Sequence, residues 1–498
     1  MTDAVVPPIS QSRTPVAALI VGTILAAAAA VALGVGIGDA WRLGTVLAAL
    51  VLGLIALLFV FARTFAGYLV LICSSVMLIV FPGIGPLGAN AFDGLLWPVL
   101  AGSYWGLARE KAQQGDAAEV GGAHDEIRAA HRRFSRAILL FFGVAALSLV
   151  MAAAQGRVGQ LFASGLKLLR VFQGALLFPL GVMLLRTPRR MHLAIGAALV
   201  GGAVFAIVNS LAFGVSGVAR AGITWWPLEP GISTADPNTA GTAMVLLWVL
   251  VLARQATRPQ VLNLVMLPVV LTMLVLTQSR SGLLAWLTFT ILSLRHLKWW
   301  HVVLGGLVLW ALIPLVPEHY WIRMTRTVEM EPGSIDAFSS LVRLYAWKLA
   351  WQMFLDHPIF GVGYLGFGFM SNGYGSVGVY CGTVDNLYLE MATSVGLVGL
   401  GVLGFAVFRM FQLGATIRRV APPGTLGFHL GWLHGPFIAS LLVANFTGMP
   451  LLGIVGAAQL AFWNALLVRA GHEAVETARR DRATDASSGP AFLIPGLA

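Results

Sequence analysis

Charge is scarce in this chain. Only 11% of its 498 residues are Asp, Glu, Lys or Arg, whereas 58% are hydrophobic. Ordinary soluble domains carry about 25% charged residues, so this composition excludes that class. Cysteine is nearly absent. Cys73 falls in an apolar run and Cys381 in a glycine-rich stretch, and two cysteines in such different settings exclude a disulfide framework and a metal-ligand spacing. No internal repeat is evident, which disfavours a transporter built from duplicated halves.

What is present is apolar sequence. The mean hydropathy is +0.83, and apolar runs of about 18 or more residues recur along the chain, the signature of an all-α polytopic membrane protein. They fall near 15–37, 44–62, 66–84, 91–108, 137–154, 165–186, 191–213, 238–254, 260–277, 282–295, 301–316, 387–408, 427–446 and 449–468, about fourteen in all. The first run follows Arg13 and lacks a cleavage site, so it is expected to be a retained span. A net charge of +11 on such a chain reports orientation before it suggests nucleic acid, which is not an expected partner.

The positive-inside rule tests that assignment, because a wrong span count would scramble the alternation of charge between successive loops. Arg63, the connector at 109–136, Arg186 with Arg189 and Arg190, Arg254 with Arg258, Arg295 with Lys298, Arg418 with Arg419, and the tail with Arg469, Arg479, Arg480 and Arg482 all fall on one side. Both termini are therefore expected in the cytoplasm. The expected organisation is residues 1–136 as N-terminal spans and connector, 137–316 as a central bundle and 317–386 as one long, partly helical periplasmic or extracellular loop. Residues 387–470 are C-terminal spans, and 471–498 a cytoplasmic disordered tail. The connector reads as solvated helix.

Several positive charges on the outer side escape the orientation rule: Arg220, Arg280, Arg323, Arg326, Arg343 and Lys348. Lys167 and Arg170, in the outer half of a span, raise the same question. Arginine at a helix centre costs about 2.5–3.5 kcal/mol on insertion scales, less near the interface, so such residues either snorkel to head groups or serve an anion in a wet cavity. Arg280 sits in TQSRSG, flanked by Gln278, Ser279 and Ser281 rather than by a long apolar stem. Guanidinium groups match phosphate oxygens bidentately, and two or more match a diphosphate. A lipid-linked diphosphate is the membrane-borne anion that fits, with Arg220, Arg280 and Arg343 as its candidate ligands. Trp347, Trp351, Tyr364 and Tyr388 are aromatics suited to facing its sugars, with Asn386 beside them. Trp225, Trp226, Tyr320 and Trp321 fit an interfacial aromatic belt equally well.

The densest stretch is 338–404. Arg343, Trp347, Lys348 and Trp351 recur at helical spacing until Asp356-His357-Pro358 stops the helix, since the residue before proline is pushed out of the α region. A glycine-rich loop follows, and a second helix is expected from Asp385-Asn386 straight into an apolar span. Gly361 to Gly366 fits GxGxxG as a string but follows no strand, so it is no dinucleotide site; its glycines suit tight turns and close approach to a ligand.

In order, RAGITWWPLEPGISTADPNTAGTAM (220–244), LTQSRSGLLAW (276–286), RLYAWKLAWQMFLDHPIFGVGYLGFG (343–368) and VDNLYLEMATSVGLVGLG (384–401) resemble the bacterial O-antigen ligase and Wzy-type polymerase family of membrane glycosyltransferases, over roughly 200–410. The resemblance implies that Arg280 and Arg220 bind a polyprenyl diphosphate. In one respect the chain departs. Ligases of this family carry a histidine in an HN-x-x-L-like motif where this chain has Asp385-Asn386. Asp385 suits two compatible jobs there, a general base or a helix N-cap worth about 1 kcal/mol. Glu390, one turn beyond Asn386, is the second candidate carboxylate, and the imidazole of His357, in a DHP turn, is a weaker catalytic candidate.

These readings lead to a metal-independent, cofactor-free glycosyltransferase, since no DxD pair and no His/Cys cluster lies on the outer face. The donor is a polyprenyl-diphosphate-linked glycan and the acceptor a glycan or lipid hydroxyl, with membrane lipids and polysaccharide-export or chain-length machinery as further partners. The missing histidine favours a polymerase; a ligase acting on a lipid A core or a protein, and a lipid-linked glycan flippase, are the alternatives.

Overall fold

The computed structural model describes residues 63–77, 91–113, 122–216, 237–294, 335–375 and 382–487. Two compact units are distinguished, residues 1–68 with 95–113 and residues 69–94 with 114–498. The first holds most of α2 (Ala91–Gln113), which carries Pro98 in its interior, and the beginning of α1 (Thr64–Met77). All that follows concerns the second unit.

Among the described residues there is no strand. The helices of the second unit are α3 (Ala123–Ala154), α4 (Val158–Ala175), α5 (Leu177–Leu184), α6 (Pro188–Ser216), α7 (Pro237–Thr257), α8 (Val261–Leu276), α9 (Arg280–Leu294), α10 (Ile335–Asp356), the short α11 (Phe367–Met370), α12 (Leu387–Val420), α13 (Leu426–Ala444) and α14 (Ile454–Ser487). Seven described segments are long and apolar enough to cross a membrane, α4 and α5 counting as one; α8, α9 and part of α1 are shorter apolar helices. The chain is thus an all-α, multi-pass membrane protein. The expected spans at 15–37, 44–62 and 301–316 lie outside the described residues.

Burial sorts the spans. In α14 78% of the apolar window is inside the protein, in α3 only 28%. So α14 is central and α3 peripheral, with Leu139, Leu140, Leu147 and Val150 exposed, as suits a helix facing lipid. Within the bundle α12 packs on α3 and α13, α13 on α9 and α14, and α14 on α4 and α5. His434 of α13 is fully buried. It accepts at Nδ1 from the Trp463 indole N–H at 2.9 Å and faces the Met410 carbonyl through Nε2 at 2.9 Å. An indole only donates, so His434 must be the neutral tautomer protonated at Nε2, a packing group.

One sequence expectation needs correction. The tail after Ala470, expected to be disordered, continues α14 as helix to Ser487. The second helix runs from Leu387 directly into the apolar span, as expected, but α12 contains Gly396 at φ 63°, ψ −162°, a conformation essentially reserved for glycine. The helix is broken there.

Candidate active site

The site is built from α10, the loop after it and the start of α12. On α10, Ala346, Leu349, Ala350 and Met353 recur at helical spacing and are buried with Phe367 and Val384, which seats α10 on α12. The Thr393 hydroxyl donates to the Ala350 carbonyl at 3.0 Å. Trp347 donates its indole N–H to the Val384 carbonyl at 2.9 Å and packs edge-on against Phe446. One turn earlier on the same helix, Arg343 Nε donates to Asp385 Oδ2 at 3.2 Å, both side chains about a third exposed. Thr383 donates to the other oxygen, Oδ1, at 3.0 Å.

Asp385 has a φ of 50°, the left-handed region that is uncommon for a residue with a Cβ. Its neighbours hold it there. Arg343 and Thr383 fix its carboxylate, and the Leu387 N–H just beyond donates to the Asn445 carbonyl at 2.9 Å. An observed backbone outlier at a half-exposed charged residue is the kind of strain that gathers at functional sites.

The N-cap of α12 is Asn386, whose Oδ1 accepts from the N–H groups of Tyr388 at 3.0 Å and Leu389 at 3.1 Å. This corrects the capping role expected of Asp385, and it occupies the Oδ1 of Asn386, a buried residue, with backbone. The Tyr388 hydroxyl likewise donates to the Leu442 carbonyl of α13 at 2.7 Å. Glu390 is only 2% exposed and accepts from the Ser394 hydroxyl at 2.7 Å. Tyr364 is fully buried, and its hydroxyl has no hydrogen-bond partner among the described residues. Trp351 is exposed on α10. Of the candidates, then, Arg343 and Asp385 pair, with Trp347 one turn along α10, Tyr388 is half-buried, and Asn386, Glu390 and Tyr364 are buried. Nearby, the Tyr374 hydroxyl donates to Asp356 at 2.8 Å; burial and that bond push its pKa up to about 12, so it remains a donor at neutral pH.

The loop at 357–366 has a different task from the one its glycines suggest. It fills the break in α12. The N–H groups of Val362 and Gly363 donate to the Thr393 and Ser394 carbonyls, both at 2.8 Å, and those of Leu397 and Val398 donate to the Pro358 and Ile359 carbonyls at 2.8 and 3.2 Å. Backbone groups orphaned by a helix break must be paired within the protein, and here the loop pairs them. Gly361, at φ +68°, has no room for a Cβ, which would lie 2.5 Å from the Thr393 carbonyl oxygen. From the other side, Arg157 and Gln160 at the α3–α4 turn both donate to the Val362 carbonyl, at 2.6 and 3.0 Å, and Ser148 accepts from the Tyr364 N–H. Of the glycines of GxGxxG, Gly361 approaches the α12 backbone, and Gly363 and Gly366 approach the Gln160 side chain. Sequence reasoning missed Arg157, Gln160 and Ser148; the polar QGRVGQ turn between two apolar runs was the available signal.

A second polar centre lies where α7 and α9 begin. Asn238 Oδ1 accepts from the hydroxyls of Ser279 and Ser281, each at 2.9 Å, and the two helices touch at Gly241 and Gly282, where a Cβ on Gly282 would lie 2.7 Å from the Gly241 Cα. This network fixes the first turn of α9, and so the half-buried Arg280 that opens it. Helix α13 packs against both α9 and α12, linking the two centres. Arg220 lies outside the described residues, as do Trp225, Trp226, Tyr320 and Trp321.

The arrangement offers a carboxylate with two oriented oxygens, a guanidinium that donates one N–H to it, and an indole one turn further along α10. Such a set can accept a proton and bind an oxyanion. No curated protein matches the chain. Residues 264–404 match a family model described as O-antigen ligase; the match holds Arg280, Arg343, Asp385, the loop at 357–366 and the break at Gly396, and leaves out Arg220, Ser148, Arg157 and Gln160. The chain therefore carries an O-antigen ligase family domain at residues 264–404, consistent with the O-antigen ligase and Wzy-type family.

Proposed function

We propose that the protein is a polysaccharide polymerase that transfers glycan from a polyprenyl diphosphate carrier to a glycan hydroxyl at the outer face of the cytoplasmic membrane. The observation that carries this reading is the Arg343–Asp385 pair, half exposed on a strained backbone position inside the family domain. The acceptor oxygen attacks the anomeric carbon of the first sugar, a carbon–oxygen bond forms, and the bond to the diphosphate breaks. The proton passes to Asp385, and the electron pair leaves with the polyprenyl diphosphate. Arg280 and Arg220, with the Nη groups of Arg343, stabilise that departing charge, a contribution that is usually large in such reactions. One displacement inverts the anomeric configuration. The diphosphate is already a good leaving group, so the scheme needs no metal. Trp347 and Trp351 offer flat faces for sugar rings.

Asp385 in place of the family histidine supports the polymerase over the ligase reading. The test supplies purified protein with a polyprenyl-diphosphate oligosaccharide, with and without a lipid A core acceptor. Longer lipid-linked glycans and released polyprenyl diphosphate are expected without the core acceptor. Transfer only to the core would make it a ligase, and translocation in vesicles without covalent change would make it a flippase.

A further inference from the structure

At the other end of α12 a cavity of about 210 Å³ opens between α3 and α12, and Arg133, Arg409 and Arg419 all line it. Its charge is only partly answered within the protein. Glu126 pairs with Arg419 at 2.5 Å, both exposed, and Gln412 accepts from Arg409 Nη1 at 2.6 Å. Arg409 Nε is buried and has no hydrogen-bond partner among the described residues. A buried cationic donor left without an acceptor is costly. Snorkelling alone would carry this arginine to solvent rather than into a cavity with two others.

The same arginine is attached to an apolar surface. Its guanidinium lies 4.7 Å from the centroid of the Phe405 ring and 5.8 Å from that of Phe408, and both rings are exposed. On α3 the apolar run begins one turn beyond Arg133, and Leu140 of that run is exposed. Arg409 stands about three turns before the end of α12, so the pocket sits where hydrocarbon gives way to head groups. Basic pockets between membrane helices at that depth suit phosphate-bearing lipids. We infer that this cavity is a binding site for the phosphate of an anionic phospholipid head group, whose acyl chains lie along the Phe405–Phe408 face. The site is independent of the glycan-transfer chemistry at the opposite end of the helix.

Native mass spectrometry of the purified protein with dioctanoyl phosphatidylglycerol or dioctanoyl phosphatidylcholine tests this. The wild type should retain phosphatidylglycerol in preference, and Arg409→Gln should weaken that retention about fivefold, as loss of one interfacial arginine contact predicts. The double variant Arg133→Gln/Arg419→Gln should weaken it further; both residues are exposed, so it tests the site even if Arg409→Gln fails to fold. An Arg479→Gln/Arg480→Gln variant, removing the same charge from the end of α14, should change nothing. Equal retention of the two lipids, an equal loss in the α14 variant, or displacement of phosphatidylglycerol by equimolar inorganic phosphate would each overturn the inference, the last by showing a free-anion site.

Discussion

At Asp385 both carboxylate oxygens are engaged, one by Arg343 and one by Thr383, while the capping belongs to Asn386. Asparagine at 385 therefore leaves the helix cap untouched and keeps one carbonyl oxygen for either partner, but it has no carboxylate to take up a proton. Asp385→Asn should yield protein that elutes and melts like the wild type and turns over about 10² to 10⁴ times more slowly, the usual span for loss of a general base. Near-normal turnover would end the catalytic assignment of Asp385. Arg280 is tested by geometry rather than charge. Arg280→Lys preserves the charge and loses the planar fork, so its activity should fall at least about tenfold, close to that of Arg280→Ala. Full activity in the lysine variant would reduce the residue to a source of field.

Among the elements, α12 shows how far local pattern reaches. The stop of α10 at Asp356 is legible, since a histidine and a proline follow and the helix ends there. The buried face of α10 is legible from its spacing. The break in α12 is not, because SVGLVGLG reads as an ordinary small-residue stretch of a span, and what makes Gly396 special is the Ile359 carbonyl oxygen, 2.3 Å from where its Cβ would be. That contact joins segments far apart in sequence. Glu390 and Asn386 read as site residues because they stand beside Asp385 in the chain, and their burial depends on packing against other elements, which local pattern does not show. Gly396→Ala should cost about 1–3 kcal/mol for the backbone conformation alone, with the clash added, and should lower the thermal midpoint in detergent well below that of Gly401→Ala, where a Cβ meets nothing. Equal midpoints would falsify the assignment of the break.

For the whole molecule, the apolar helices are those of a multi-pass membrane protein, the family match at residues 264–404 supports a membrane enzyme, and charge asymmetry supplies the expected orientation. Cysteines at two open positions test it in a background lacking Cys73 and Cys381. Gly373 is exposed and has room for a Cβ, so Gly373→Cys should react with an impermeant maleimide on intact cells. Arg480→Cys, near the end of α14, should react only after permeabilisation. The reverse pattern would move the proposed active site to the cytoplasmic face.

The paired break in α12 also bears on biogenesis. The α3–α4 turn emerges from the ribosome first, then the loop at 357–366, and last the two half-helices that the loop joins. Until residues 393–398 arrive, Val362 and Gly363 lack the carbonyls that their N–H groups meet in the finished protein, and the Pro358 and Ile359 carbonyls lack their donors. A nascent chain arrested between these points carries exposed backbone that lipid cannot satisfy. Such chains are natural clients for membrane quality control, and truncations ending just before Thr393 should be degraded faster than truncations ending after α4.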